Sequence, residues 1–227
     1  MNWQDKGYLL NINRYNENSS IAEFYTKKYG KVSGIIFGST SKKTKNYLML
    51  GNNLHINFSS KDNTSIGNFK IEINKVNTPI YFNDRLKLTC IIYSMQIIKL
   101  LSGENQTNEK IYLLIDKLFE LIKSDNWIQS FIFWELNLFK NLGYEINFED
   151  FSSLKENNGK SIYVSKTDNA KLIPAFLINK SDKVNDYKDL VIGLNLVGDF
   201  IEKSVLQESN RSIPFSRNEF INLIKEL

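Results

Sequence analysis

Three lysines within four positions, Lys42, Lys43 and Lys45, follow the small-residue loop Gly38-Ser39-Thr40-Ser41, which gathers positive charge where a polyanion can meet it. Lys27, Lys28 and Lys31 surround the turn at Tyr29-Gly30, and Arg14 precedes Tyr15 at the end of an apolar run. Aromatic residues alternate with these cations: Tyr8, Tyr15, Tyr25, Tyr29 and Tyr47, with Lys6 close to the first of them. Ammonium and guanidinium groups neutralise phosphates and aromatic faces stack on bases, a combination that gives sequence-tolerant binding of a single strand. Binding of that kind weakens steeply with added salt. The residues alone leave two readings open, a nucleic-acid-binding face and an ordinary strand surface whose tyrosines cover a core.

Residues for covalent chemistry are scarce. His55, the single histidine, lies in LHINF with no orienting partner to mark it as a general base. The sequence contains no HExxH metal pattern, no GxSxG elbow and no GxxxxGK[ST] phosphate loop. The glycines of GKVSG are wrongly spaced to cradle phosphate, and Glu149-Asp150 reads as a solvated acidic pair. Cys90 is the only cysteine, which excludes an intramolecular disulfide and every multi-cysteine zinc cluster; its apolar neighbours mark it as a small buried hydrophobe. The expectation is a non-enzymatic protein with no catalytic residue, no metal and no cofactor.

The elements that must position the cations follow from periodicity. Short apolar runs predict strands at Gly7–Arg14, Ser20–Thr26, Lys31–Phe37, Leu54–Ser60 and Gly67–Asn74, the last two alternating cleanly. Five strands in under eighty residues predict a small closed barrel, OB-like, with an SH3-like barrel as the alternative. Pro79 marks a boundary. Beyond it, three- and four-residue spacing predicts helices at Arg85–Leu101, Glu109–Lys123, Asn126–Leu142 and Asp189–Val205, and a capping box at Ser216-Arg217-Asn218-Glu219 opens a last short one. From Tyr144 to Ser181 the pattern is weak, and Ser161–Ser165 reads as strand or loop. The predicted class is α+β multidomain: an N-terminal five-stranded OB-fold β-barrel over residues 1–79, then an all-helical C-terminal domain over 80–227.

Charge supports that division. Of the 227 residues 42% are apolar, and the formal charge is +4. Through Ile80 there are 11 Lys+Arg against 5 Asp+Glu, which leaves 18 against 20 in the remainder. The basicity therefore sits in the N-terminal third, the asymmetry of a polyanion-binding module. No run approaches eighteen uninterrupted apolar residues and no leader pattern opens the chain, so a soluble cytoplasmic protein is expected.

Beyond composition, the opening resembles the RecO recombination-mediator family. The correspondence runs through the strand Gly7–Leu10, the turn Tyr15-Asn16-Glu17-Asn18-Ser19, Thr26, Gly30-Lys31 with Gly34, and Gly38-Ser39-Thr40 followed by Lys42, Lys43 and Lys45. Later, FWELNLFKNLGYEINFEDF and IGLNLVGDFIEKSVL, the latter followed by Arg211 and Pro214, are similar to the family's corresponding segments. The resemblance implies an OB domain, a helical domain, and binding of single- and double-stranded DNA without base specificity. It also implies annealing of complementary strands and, with RecR and in some cases RecF, loading of RecA onto DNA coated by single-strand-binding protein. That protein's acidic, apolar C-terminal tail is an expected partner of the helical domain. Nucleoid association would follow.

On the resemblance, Arg14, Lys27, Lys28, Lys31, Lys42, Lys43 and Lys45 are expected to hold phosphates, and Tyr15 and Tyr25 to stack on bases. Three departures stand out. Many relatives carry a four-cysteine zinc site where Gly143–Lys166 has no cysteine, so a zinc-free variant is expected. Thr40 replaces the family's arginine. Asn16 replaces a turn glycine, and asparagine can take the left-handed conformation such a turn uses. Two alternatives to the mediator remain: a protein-interaction adaptor without direct DNA binding, and an RNA-binding OB protein.

Overall fold

The computed structural model describes residues 1–61, 66–157, 160–167, 171–184, 186–207 and 210–227. These form two compact units: Met1–Phe119 with Pro214–Arg217, and Glu120–Ile213 with Asn218–Leu227.

In the first unit, β1 (Asn2–Arg14), β2 (Ser19–Thr26), β3 (Gly30–Phe37), β4 (Asn53–Ser59) and β5 (Gly67–Lys75) follow the order β1-β2-β3-β5-β4, and β1–β4 pairing completes a closed barrel. β1 is longer than its apolar run predicts because it serves two neighbours: Asn2–Tyr8 pairs with β4, and Gly7–Arg14 pairs with β2 across an irregularity between Leu9 and Asn11. Pairing is antiparallel throughout except at β3–β5, a parallel seam of two residue pairs, Gly34↔Gly67 and Ile35↔Asn68. Glycine is required at position 34 of that seam, since a Cβ there would lie 2.6 Å from the Phe69 ring. Inward positions alternate along each strand, and Leu9, Phe24, Val32, Ile36, Leu54 and Phe69 meet in one buried cluster. The short helix α1 (Lys42–Lys45) lies between β3 and β4.

One helix and most of a second complete this unit. Asp84 caps α2 (Arg85–Leu101) by accepting from the Lys87 amide at 3.0 Å. The helix α3 (Glu109–Leu121) approaches β1, where the Tyr8 hydroxyl donates to Asp116 at 2.7 Å. A polar connection, residues 102–108, joins α2 to α3.

The second unit contains α4 (Trp127–Asn141), α5 (Phe148–Phe151), β6 (Ser152–Asn157), β7 (Lys160–Ser165), β8 (Leu172–Ile173), α6 (Tyr187–Ile201) and most of α7 (Ser216–Lys225). Phe131 stacks on Trp134 at 5.4 Å and meets Phe220 edge-on at 5.3 Å, so α4 and α7 share an aromatic core. On α6, Leu190, Leu194, Val197 and Ile201 are buried at helical spacing.

The expected class, an OB barrel followed by an all-helical domain, is corrected here. β6, β7 and β8 form a three-stranded antiparallel sheet within the region predicted to be helical. Its strands are short and polar, with Val164 of β7 and Ile173 of β8 buried. So few apolar positions give almost no period-two signal, which explains why Ser161–Ser165 was ambiguous between strand and loop.

Candidate nucleic-acid interface

The cations of the first unit divide between two ends of the β2–β3 ladder. Eight residues of extended chain separate those ends by roughly 24 Å at about 3.4 Å per residue.

At one end, the β1–β2 hairpin lies against the β3–α1 connection. The Gly38 amide donates to the Asn18 carbonyl at 2.7 Å and the Thr40 hydroxyl to the Asn18 side chain at 3.0 Å, while the Ser20 and Ser39 hydroxyls are bonded at 2.8 Å. Gly38 has φ +69°, a conformation glycine adopts without strain. This geometry brings Arg14 and Tyr15 of the hairpin beside the loop that leads into Lys42, Lys43 and Lys45. Ser41 caps the short helix through the Thr44 amide, and all three lysines are exposed on it. Arg14 is exposed too, its Nε donating to the Asn16 carbonyl at 3.2 Å. Among the described residues none of these four cations forms an ion pair.

Asn16 does not use the left-handed conformation suggested for it; the positive-φ non-glycine residues described are Asn105 and Asn210. Its side chain instead accepts from the Asn18 amide at 3.0 Å, so a side-chain turn replaces the glycine's backbone freedom.

The other end is covered. The α2–α3 connection crosses the β2–β3 turn: the Asn105 amide donates to the Lys31 carbonyl at 2.8 Å and the Thr107 hydroxyl to the Lys28 carbonyl at 2.9 Å. Gly30, at φ +67°, lies so close beneath it that a Cβ would come within 2.0 Å of the Gln106 carbonyl oxygen. Glu104 pairs with Lys31 at 3.3 Å, and Glu109, at the start of α3, pairs with Lys27 at 3.2 Å. Lys31 also donates to the Lys99 carbonyl at 3.1 Å, and Lys99 pairs with Glu23 at 3.0 Å.

Tyr25 is only 1% exposed, and its hydroxyl donates to the Asn108 carbonyl at 3.2 Å; burial pushes its pKa up to about 12. A ring in that position has no free face for a base. Of the residues expected at this end, Lys28 keeps an exposed side chain while its amide donates to Asp5 at 2.6 Å. The expected set is thus split: Arg14, Tyr15, Lys42, Lys43 and Lys45 gather at the open end, Lys27 and Lys31 are held by carboxylates, and Tyr25 is part of the packing.

Sequence reasoning missed Phe37. It is 65% exposed at the last position of β3, paired in register with Ser19, whose carbonyl accepts from the Tyr15 amide at 2.9 Å. The available signal was the alternation of β3, which turns Val32, Gly34 and Ile36 inward and leaves Lys31, Ser33, Ile35 and Phe37 outward. His55 stands exposed on the outer face of β4, in register with Lys6 of β1 and Glu72 of β5. Among the described residues no group of three or more His, Cys, Asp or Glu side chains could hold a metal ion. Nor is any described helix long and apolar enough to cross a membrane.

Known proteins match over nearly the whole chain. The family model for the recombination protein O N-terminal domain matches residues 1–75, and that for its C-terminal domain residues 83–186. A DNA repair protein RecO from Ehrlichia chaffeensis is 29% identical over 99% of this chain and 98% of its own length. Proteins of the same name from Ruegeria sp. and Caulobacter vibrioides are each 22% identical, over 99% and 100% of this chain and 98% of their own lengths. The order of matched segments, the extent of both chains covered and a single cysteine that cannot build a four-cysteine site together place this chain in the RecO family, as a zinc-free member.

Proposed function

We propose that this RecO-family protein serves recombinational DNA repair as a non-enzymatic mediator: it binds DNA, anneals complementary strands, and helps load recombinase onto DNA coated by single-strand-binding protein. The observation that carries the reading is the open end of the barrel, where Arg14, Lys42, Lys43 and Lys45 have no carboxylate partner among the described residues. Four uncompensated cations on one exposed surface release counterions when they meet phosphates, and they lower the repulsion between two strands brought together there. In this reading residues 1–79 are the nucleic-acid-binding part and 80–227 the partner-binding part. RecR, the acidic tail of single-strand-binding protein, RecF and RecA are the partners that family membership suggests, and nucleoid association follows from DNA binding.

The test is a fluorescence measurement of oligonucleotide binding and strand annealing as a function of salt. Replacing Lys42, Lys43 and Lys45 by alanine is expected to weaken binding and to flatten the log–log salt slope by about two on single strands, at roughly 0.7 per lost phosphate contact. Unchanged affinity and slope in the triple variant would remove these lysines from the interface. A marked preference for ribose over deoxyribose strands would favour an RNA-binding protein, since the 2′-hydroxyl is the distinguishing group. Partner binding with no oligonucleotide uptake at low salt would favour the adaptor.

A further inference from the structure

We propose that Tyr15 and Phe37 form a base-stacking platform beside the cations of the open end, so that this site takes unpaired bases and favours single strands over duplex. The inference rests on the DNA-binding reading above and adds a source of selectivity that lysines cannot supply. Phosphates are common to single strands and duplex, whereas base faces are free only in the former.

The two rings stand apart from the other aromatics of the barrel. Trp3 stacks on Tyr29 at 4.2 Å and on Phe58 at 4.8 Å, Phe24 meets Phe69 edge-on at 5.2 Å, and Tyr8 lies 5.2 Å from Tyr112. Those rings are consumed by packing. Tyr15 and Phe37 make no such ring contact among the described residues and are 57% and 65% exposed. Tyr15 follows the end of β1 and Phe37 ends β3, on either side of the first residue of β2: Ser19 accepts the Tyr15 amide and pairs in register with Phe37, which sets the two residues about two strand spacings apart, roughly 10 Å.

Exposed apolar rings occur singly on many surfaces and then carry little meaning. Here they coincide with Arg14, Lys42, Lys43 and Lys45, which form no ion pair among the described residues, the pairing of ring and charge that single-strand sites use. Charge also separates the candidate occupants. Arg14, Lys42, Lys43 and Lys45 outnumber the lone carboxylate of this hairpin, Glu17, so the occupant that suits both the rings and the field is a polyanion with free aromatic faces. In duplex the bases already stack on one another, and rings on a flat surface reach only their edges.

The experiment uses the full chain and three labelled probes at low salt: an oligo(dT), an abasic deoxyribose-phosphate oligomer of the same length, and a duplex. Phe37→Ala and Tyr15→Ala are each expected to weaken oligo(dT) binding by about 5- to 150-fold, the range of a lost base–aromatic stack. Binding of the abasic oligomer and the duplex should stay within about two-fold, and Phe37→Trp should restore oligo(dT) affinity. Oligo(dT) binding as tight in both alanine variants as in the parent would overturn the platform while leaving the DNA-binding reading intact. Equal losses on all three probes would also overturn it, by showing that the rings maintain the loop and do not touch bases. A parent protein that takes up none of the three would defeat both readings, and capture of an apolar peptide at the two rings without any oligonucleotide would assign the surface to a protein partner instead.

Discussion

At the residue scale, the tyrosines show how burial changes what a side chain can do. Tyr8, Tyr25 and Tyr112 are buried on the side of the barrel that meets α3, and burial raises all three hydroxyl pKa values above the ordinary tyrosine range, with Asp116 raising that of Tyr8 further. A proton held more tightly in the folded state than in the unfolded one stabilises fully below the unfolded pKa, near 10, and that stability is lost as pH climbs through the folded value. The protein is therefore expected to lose stability from about pH 10 upward, over a window reaching about 12 for Tyr25. Tyr25→Phe should flatten this alkaline loss and cost about 1 kcal/mol at neutral pH for the hydrogen bond to Asn108. Melting temperatures from pH 8 to 11.5 check it, and identical alkaline profiles would exclude Tyr25 as a contributor.

At the element scale, the decisive piece is the α2–α3 connection. Polar and short, it reads as a solvated loop, yet it forms a strap over the β2–β3 turn whose carboxylates occupy Lys31 and Lys27 as phosphates would. Replacing Glu109 by glutamine is expected to release Lys27, tighten oligonucleotide binding and steepen the single-strand salt slope by up to about 0.7, whereas Lys31, 12% exposed and bonded to the Lys99 carbonyl, stays in place. Stability should change by less than about 1 kcal/mol, because Lys27 and Glu109 are both about half exposed and such pairs contribute little. An unchanged slope would show that ligands never reach this end. The strap also explains why equal-looking lysines separate into two groups: Lys42, Lys43 and Lys45 lie on a helix where no carboxylate among the described residues pairs with them.

At the scale of the whole molecule, similarity to RecO proteins runs almost from end to end, while the composition withdraws the zinc chemistry expected of many relatives. Prolonged dialysis against a chelator should accordingly leave both the melting temperature and oligonucleotide binding unchanged. A fall in either would reveal a metal dependence that the side chains described here do not account for. The second unit supplies a different lesson, since the helix face that carries Phe131 and Trp134 was visible as periodicity, while its contact with Phe220 and the small sheet were not.

The amino-acid sequence by itself determined the strand positions, the main helices, the N-terminal bias of charge and the membership signals carried by short motifs. These are local or additive properties: strand and helix periods repeat within a few residues, and net charge is a sum. Tertiary structure alone decided which cations stay free, because Glu104 and Glu109 are separated from Lys31 and Lys27 by more than seventy residues and meet them only once α2 has packed against the barrel. It likewise buried Tyr25, exposed Phe37 and brought Tyr15 to the same end of the β2–β3 ladder. Pairing of strand ends and closure of a strap depend on contacts between distant segments, and no local pattern of residue types encodes them.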